Sequence, residues 1–363
     1  MRIKELDALR GLAAFAVFLF HFQLFDYGYL GVHLFFIISG FVIFLSAKSV
    51  KQPSDFVIAR FSRLYPTYWV CLLLTFAVLF VSESDVTFTQ LAYNFTMFQE
   101  FIGVENIDGA YWSLTEELVF YVIIFTALLL GLINHVKLWT GVMLLLAMGG
   151  LFLNPELGGM EKNIQAVVKY FSLFVAGVIF YHMYLAQKVG VKYVAALLLC
   201  LGISLQYGYG SYLPYFNHTI EIGVICAFFG LFTLLVMGKL AFLQKYKWML
   251  FLGEISYPFY LLHQEIGLTF RRLFTTDNLF VHIAVVAVVF VGIALLATII
   301  NRYVEHNTSR YVKRKLMNLY KDNIFFPQLF WKRKVAVAAE SVQVEPAVVD
   351  GLSVKQANEA SAP

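Results

Sequence analysis

Apolar residues in this chain come in unbroken runs of about 17–22 residues, the length a helix needs to cross a ~30 Å hydrocarbon layer. In such a layer each backbone polar group must be satisfied within its own segment or in a closed barrel, so a run of this length folds as a helix. Composition agrees. Of the 363 residues 60% are hydrophobic and only 14% charged, where a soluble domain carries roughly 25% charge. An aromatic content of 17%, with 37 Phe and 21 Tyr, suits lipid-facing surfaces and interfacial belts. The expected fold is therefore all-α and polytopic. About ten transmembrane helices are predicted, near residues 8–25, 30–47, 65–82, 112–132, 137–153, 165–185, 192–208, 218–237, 249–268 and 280–300.

The basic residues provide an independent test of that path. All but four of the 27 Lys and Arg (Lys162, Lys169, Arg271 and Arg272) fall on one side of the alternation, which by the positive-inside rule puts both termini in the cytoplasm. The ninth loop, with Arg271 and Arg272, is the exception. The loop from Ser82 to Tyr111 has no Lys or Arg and carries Glu83, Asp85, Glu100, Glu105 and Asp108, so it is expected outside, capping a site. Two regions follow: a membrane domain over 1–310 and a polar cytoplasmic tail over 311–363, without a core of its own and expected to be disordered. The first span lacks a signal-peptide pattern and is expected to be retained.

Polar residues inside the spans carry the functional signal. Arg10 and His21 both lie in the first apolar segment, eleven residues apart, so they share one helix face about 16 Å from each other. A charge at mid-membrane costs about 2.5–3.5 kcal/mol, so such groups face the protein interior. Asp7 lies one turn before Arg10. A neutral imidazole suits a general base that takes and returns a hydroxyl proton; the alternative is a histidine satisfied by a neighbouring helix. Arg60 and Arg63, i and i+3, share a face just before Pro66 and suit bidentate phosphate binding, with anchoring to anionic lipid as the alternative. In YWSLTEELVFY, Glu117 lies roughly 9 Å down the fourth span, whereas Glu116 fits an interfacial helix start. Ser256, Tyr260 and His263 follow i, i+4, i+7 and line one stripe of the ninth span, as an interior wall of a site or as structural glue. Depth along the spans then separates a cationic inner entrance (Arg10, Arg60, Arg63) from a His21/Glu117/His263 set beneath the outer surface.

Other signals are weaker. His33 near the start of span two suits an interfacial role. Cys71, Cys200 and Cys226 sit in apolar runs without metal-like spacing, and no metal is expected. No P-loop, dinucleotide-binding glycine pattern or HExxH is present, and the tail's basic residues are not organised for nucleic acid.

At these residues the chain resembles the acyltransferase 3 family of integral-membrane O-acyltransferases. LDALRG with His21 is similar to the family's first-helix Arg/His motif, GVHLFFIISGF to its GVxxFFxxSGF element, and RFSRLYPTY to its RxxR loop. YWSLTEELVFY is similar to WSLxxExxFY, aligning Glu117 with the family glutamate, and LGEISYPFYLLHQ to the late SYxxYLxH element. The likeness spans Leu6 to about Glu305. Departures are His33, where an acidic residue is common, and Asn307 in VEHNTSR, where the family has proline.

The resemblance implies an enzyme of the cell (inner or plasma) membrane, multi-pass, using acyl-CoA, in the first instance acetyl-CoA, as donor. Its phosphates would rest on Arg60, Arg63 and Arg10. His21 would deprotonate the acceptor hydroxyl with Glu117 orienting it, while Asp7, Ser39, Trp112, Ser256, Tyr260 and His263 would line the site. The implied partners are the bilayer and a glycan or lipid-linked oligosaccharide acceptor. A proton-coupled transporter is the competing reading, because intramembrane His/Glu pairs also serve proton relays; it would favour Gly/Pro-broken helices, which the runs do not suggest.

Overall fold

The computed structural model describes residues 3–153, 159–274 and 278–321, and every regular element among them is helical. Met1–Arg314 form one compact unit; a second begins at Lys315. Among the described residues, six helical stretches are long and apolar enough to cross a membrane: Gly28–Ser49, Pro53–Val81, Gly109–Leu129, Ile164–Ala186, His218–Val236 and Leu279–Tyr320. Val136–Gly150 and Val191–Gln206 are shorter apolar helices. Two expected spans take another form. The first is helix α1 (Lys4–His21), whose Lys4, Glu5, Asp7 and Arg10 dilute its apolar character. The ninth is broken into three pieces. Helix α15 (Ser309–Lys321) carries the first residues of the tail, while 322–363 lie outside the described residues.

The interior is built on α2 (Gly31–Ser49) and α8 (Phe171–Ala186), numbering the helices in chain order with α7 spanning Gly159–Val168. The membrane-length windows containing α2 and α8 are each 72% buried, against 33% for those of α10 (His218–Val236) and α14 (Leu279–Ile300). The first pair is thus core and the second presents most of its surface outward, to lipid in a membrane. Small residues permit the closest crossings, as expected where packing rather than hydrophobic expulsion holds helices together. A Cβ on Gly40 would meet the Phe174 carbonyl, and one on Gly177 the Ile37 carbonyl. Gly11 and Gly253 do the same for α1 and α11 (Lys247–Glu254), against the Met249 and Asp7 carbonyls.

Helix α3 (Pro53–Val81) starts much earlier than the expected span at 65, with Pro53 in its first turn and a Gln52/Asp55 capping box. Arg60 and Arg63 therefore lie inside a helix, not in a loop before one. Their side chains are carried roughly 10–15 Å beyond the helix start.

The broken segment has a chemical cause. Pro258, in α12 (Ser256–Leu262), has no N–H for the carbonyl four residues back and its ring crowds that position. The Glu254 carbonyl instead accepts from Asn301 Nδ2 at 2.8 Å, and the Gly253 carbonyl from Ser256 Oγ at 2.9 Å. A second break follows at His263–Gln264, before α13 (Glu265–Arg272). Here the Tyr260 carbonyl accepts from His263 Nδ1 at 2.6 Å. Asp108, in the loop before α5 (Trp112–Leu129), caps two helix starts at once: it accepts from the Glu265 amide at 3.1 Å and the Ala110 amide at 2.9 Å. Past Ile300 the chain widens into a π-helical turn, Asn301–Thr308, an arrangement that often marks functional sites.

Two predictions follow from this packing. Gly40→Ala and Gly177→Ala should each cost about 1–3 kcal/mol through forced separation of α2 from α8, seen as a lowered Tm in detergent. Gly223→Ala and Gly292→Ala, where a Cβ meets nothing within 4 Å, should not lower it. The second concerns Asp108, whose carboxyl burial pushes up from 3.8 to about 8 against the opposing pull of its two backbone donors. The folded state then holds a proton that the unfolded chain has released, so stability at this double cap falls as pH rises from about 4 through about 8. Hydrogen exchange at the Glu265 amide should report that loss of protection, and Asp108→Asn should flatten it.

Candidate active site

Two neighbouring cavities, of about 100 and 290 Å³, share Arg10, Val42, Arg63, Ser256 and Tyr257 in their walls and so adjoin inside the bundle. The smaller is lined by Arg10 from α1, Ser39 from α2, Arg60 and Arg63 from α3, Glu117 and Tyr121 from α5, and Ser256 and Tyr260 from α12. The larger adds Asp7, Glu254 and, from the π-helical turn, Asn301, Glu305 and His306.

Two of the cations have partners close by. Arg10 Nη1 lies 3.6 Å from Asp7 Oδ1, one turn away. Arg60 Nη2 donates to Ser46 Oγ at 2.6 Å, and its guanidinium lies 5.7 Å from both the Phe56 and Tyr121 ring centres. Glu117 Oε1 accepts from Ser39 Oγ and from Tyr121 Oη, each at 3.0 Å. The carboxylate is thus fixed by two hydroxyls and adds a negative charge to a cavity with three guanidinium groups.

At its other end the smaller cavity stops at Tyr260. The Tyr260 hydroxyl bonds Ser113 Oγ at 2.8 Å and donates to the Ala110 carbonyl at 3.1 Å. His263 lies beyond, its ring 5.3 Å from that of Tyr260 and 5.0 Å from that of His21. His263 is 1% exposed, whereas His21, the last residue of α1, is partly open. The two imidazoles line neither cavity.

This grouping differs from the one read along the sequence. Arg10, Arg60, Arg63, Ser39, Ser256 and Tyr260 line the smaller cavity together, and Asp7 lines the larger. Glu117 was expected with His21; it sits with the arginines instead, because α5 packs its Glu117/Tyr121 face toward α2 and α3. The imidazole facing His21 is His263. Ser256 and Tyr260 share the cavity wall, but the break after Leu262 turns His263 away from it. Glu116, expected at the interface, is 4% exposed with Oε2 lacking a hydrogen-bond partner, and Glu117 is the more open of the pair. His33, also expected at the interface, is buried against Tyr209 (ring centres 4.2 Å apart) and Tyr170 (5.6 Å). Trp112 belongs to that aromatic cluster, 5.4 Å from the Tyr170 ring, and not to the cavity.

Residues the sequence did not single out include Tyr121, Tyr257, Ser113 and Glu305. Tyr121 had a signal, one turn after Glu117. Glu305 stands in the segment where the chain departs from the family pattern. No local pattern marks Tyr257, whose hydroxyl donates to the Leu64 carbonyl at 3.1 Å. Among the described residues, no group of three or more His, Cys, Asp or Glu side chains converges as a metal site.

A bundle of apolar helices enclosing a cation-lined cavity, with paired imidazoles beyond it, defines a multi-pass membrane protein with a polar site within its helices. The chain belongs to the Acyl_transf_3 family: the profile of that family, described as an acyltransferase domain, matches residues 3–302. A relative is BcsY of Komagataeibacter xylinus, whose name proposes a membrane-bound transacylase. It is 35% identical over 155 residues, covering 38% of this chain and 40% of BcsY. No solved structure matches the chain.

Proposed function

We propose that the protein transfers an acyl group, acetyl in the simplest case, from acyl-CoA to a hydroxyl of a cell-surface or exported glycan, from a site in the inner or plasma membrane. The observation that carries this reading is the arginine-lined cavity on one side of Tyr260 with the His21–His263 pair on the other, at opposite ends of α1. Both termini lie in the cytoplasm in this scheme, so the larger cavity is the donor's way in. The anionic part of the donor meets Arg10, Arg63 and then Arg60, guanidinium forks suited to phosphate oxygens. Glu117 keeps the cluster compact before the donor arrives and orients its guanidinium groups; in this reading it acts on the donor side and not on the base.

His21 takes the proton of the acceptor hydroxyl as its oxygen attacks the thioester carbonyl, and returns that proton to the departing thiolate. Because His21 is partly open at the end of α1, an acceptor glycan or lipid-linked oligosaccharide can reach it from the outer side. Tyr260 stands between the two halves, and the acyl-bearing arm of the donor has to pass it.

A proton-coupled transporter is the second reading, and the broken α11–α12–α13 segment favours it, since carriers build ion sites from carbonyls freed at such breaks. In this chain those carbonyls are already used by Asn301, Ser256 and His263, which favours the enzyme.

His21→Ala should abolish acylation of the surface glycan while expression and membrane insertion stay normal, as read by NMR of the purified polysaccharide; full acetylation in that variant would reject His21 as base. Arg60→Ala combined with Arg63→Ala should weaken acetyl-CoA binding to the purified protein by tenfold or more, on the order of 1.4 kcal/mol. Unchanged affinity would reassign both arginines to lipid anchoring.

A further inference from the structure

Resting on the general-base reading of His21, we propose that His263 is the positioning residue for that base. It presents an unprotonated Nε2 that accepts the N–H of His21, so that the second nitrogen of His21 keeps its lone pair for the acceptor hydroxyl.

The proton placement on His263 follows from its partner. A carbonyl oxygen can only accept, so the 2.6 Å contact between His263 Nδ1 and the Tyr260 carbonyl requires the hydrogen on Nδ1. In the neutral ring Nε2 is then an acceptor. It is buried without a hydrogen-bond partner in a residue 1% exposed, and a buried acceptor left unmade is costly. Two of the neighbouring rings offer it no donor. Phe259 stacks on His263 with ring centres 6.3 Å apart and has no polar atom, and the Tyr260 hydroxyl is engaged with Ser113 and Ala110. A neighbouring ring that carries an N–H is His21, whose centre lies 5.0 Å from that of His263 with the ring planes at 65°.

The backbone around His263 is fixed for such a task. The break after Leu262 turns its side chain out of the α12 stripe. The next helix is capped two residues later by Asp108 on the Glu265 amide. With the His263–His21 bond formed, the series would run Tyr260 carbonyl, His263, His21, acceptor hydroxyl, which is the arrangement of a base oriented by a third group.

The proton count closes. The acceptor O–H proton moves to the free nitrogen of His21 as the new C–O bond forms; the C–S bond of the thioester breaks; and the thiolate takes that proton from His21. The Nδ1 proton of His263 never leaves, and its Nε2 lone pair steadies the imidazolium form of His21 in between.

Three substitutions separate this role from a packing role. Gln at 263 puts an acceptor oxygen where Nε2 stands. Asn keeps a donor near Nδ1 for the Tyr260 carbonyl but leaves the Nε2 position empty, and Phe keeps only the ring shape. Membranes holding the full-length chain and its native glycan are assayed for incorporation of label from acetyl-CoA. His263→Gln should stay within about tenfold of the parent, while His263→Asn and His263→Phe should lose about a hundredfold or more in kcat, the scale of a general base's contribution, with KM for acetyl-CoA unchanged. His263→Asn at parental rate, or equal losses in all three, would overturn the inference. His21→Asn runs in parallel: if it stays active, the base reading fails and takes this one with it; if it is inactive while His263→Asn is fully active, this inference alone fails.

Discussion

Guanidinium groups held inside a membrane-thick bundle set the terms for everything around them. Each uncompensated charge at such depth costs about 2.5–3.5 kcal/mol or more, and this chain brings three to one cavity. Arg10 is answered by Asp7 on α1, and Arg60 by Ser46 on α2, the Phe56 ring on α3 and the Tyr121 ring on α5, while Ser39 and Tyr121 hold the Glu117 carboxylate beside them. None of these helices can shift far without stranding a charge. The polar interior therefore fixes the relative placement of α1, α2, α3 and α5, where apolar packing alone would leave it less specified.

The interrupted α11–α12–α13 segment is the second constraint. Pro258 removes one backbone donor, and the structure replaces it with Asn301 from the π-helical turn. That single bond ties the break to the far end of α14 and brings Asn301 and Glu305 to the larger cavity. At the next break the freed Tyr260 carbonyl is taken by His263. A defect in a helix thus becomes a device: one side chain turns into the smaller cavity at Tyr260, and the next polar one turns toward His21.

Much of the fold can be read locally. Runs of apolar residues announce helices, and the 1.5 Å rise and 100° turn place Arg10 and His21 on one face regardless of context. Arg60 and Arg63 also reach the cavity their spacing suggested. The errors share one origin. Glu117 was placed with His21 by its depth and by its likeness to the family glutamate, and neither says which neighbour a face meets. His33 and Glu116 looked interfacial because each lies near the start of an apolar run, yet the segments 82–111 and 207–217 pack around those helix ends and bury both side chains. The early start of α3 was hidden because a charged amphipathic turn carries no hydropathy signal, although Pro53 and the capping box marked it.

By itself, the amino-acid order determined that this is a helical membrane protein, which residues are too polar to face lipid, and how far apart they lie along any one helix. Those properties depend on transfer energies and on helix geometry, both of which act within a single segment. Only the tertiary structure decided that Glu117 joins the arginines and His263 joins His21. Such pairings depend on which helix faces cross, and that is set by close contacts such as Gly40 on Phe174 and Gly253 on Asp7, between residues more than a hundred positions apart in the chain.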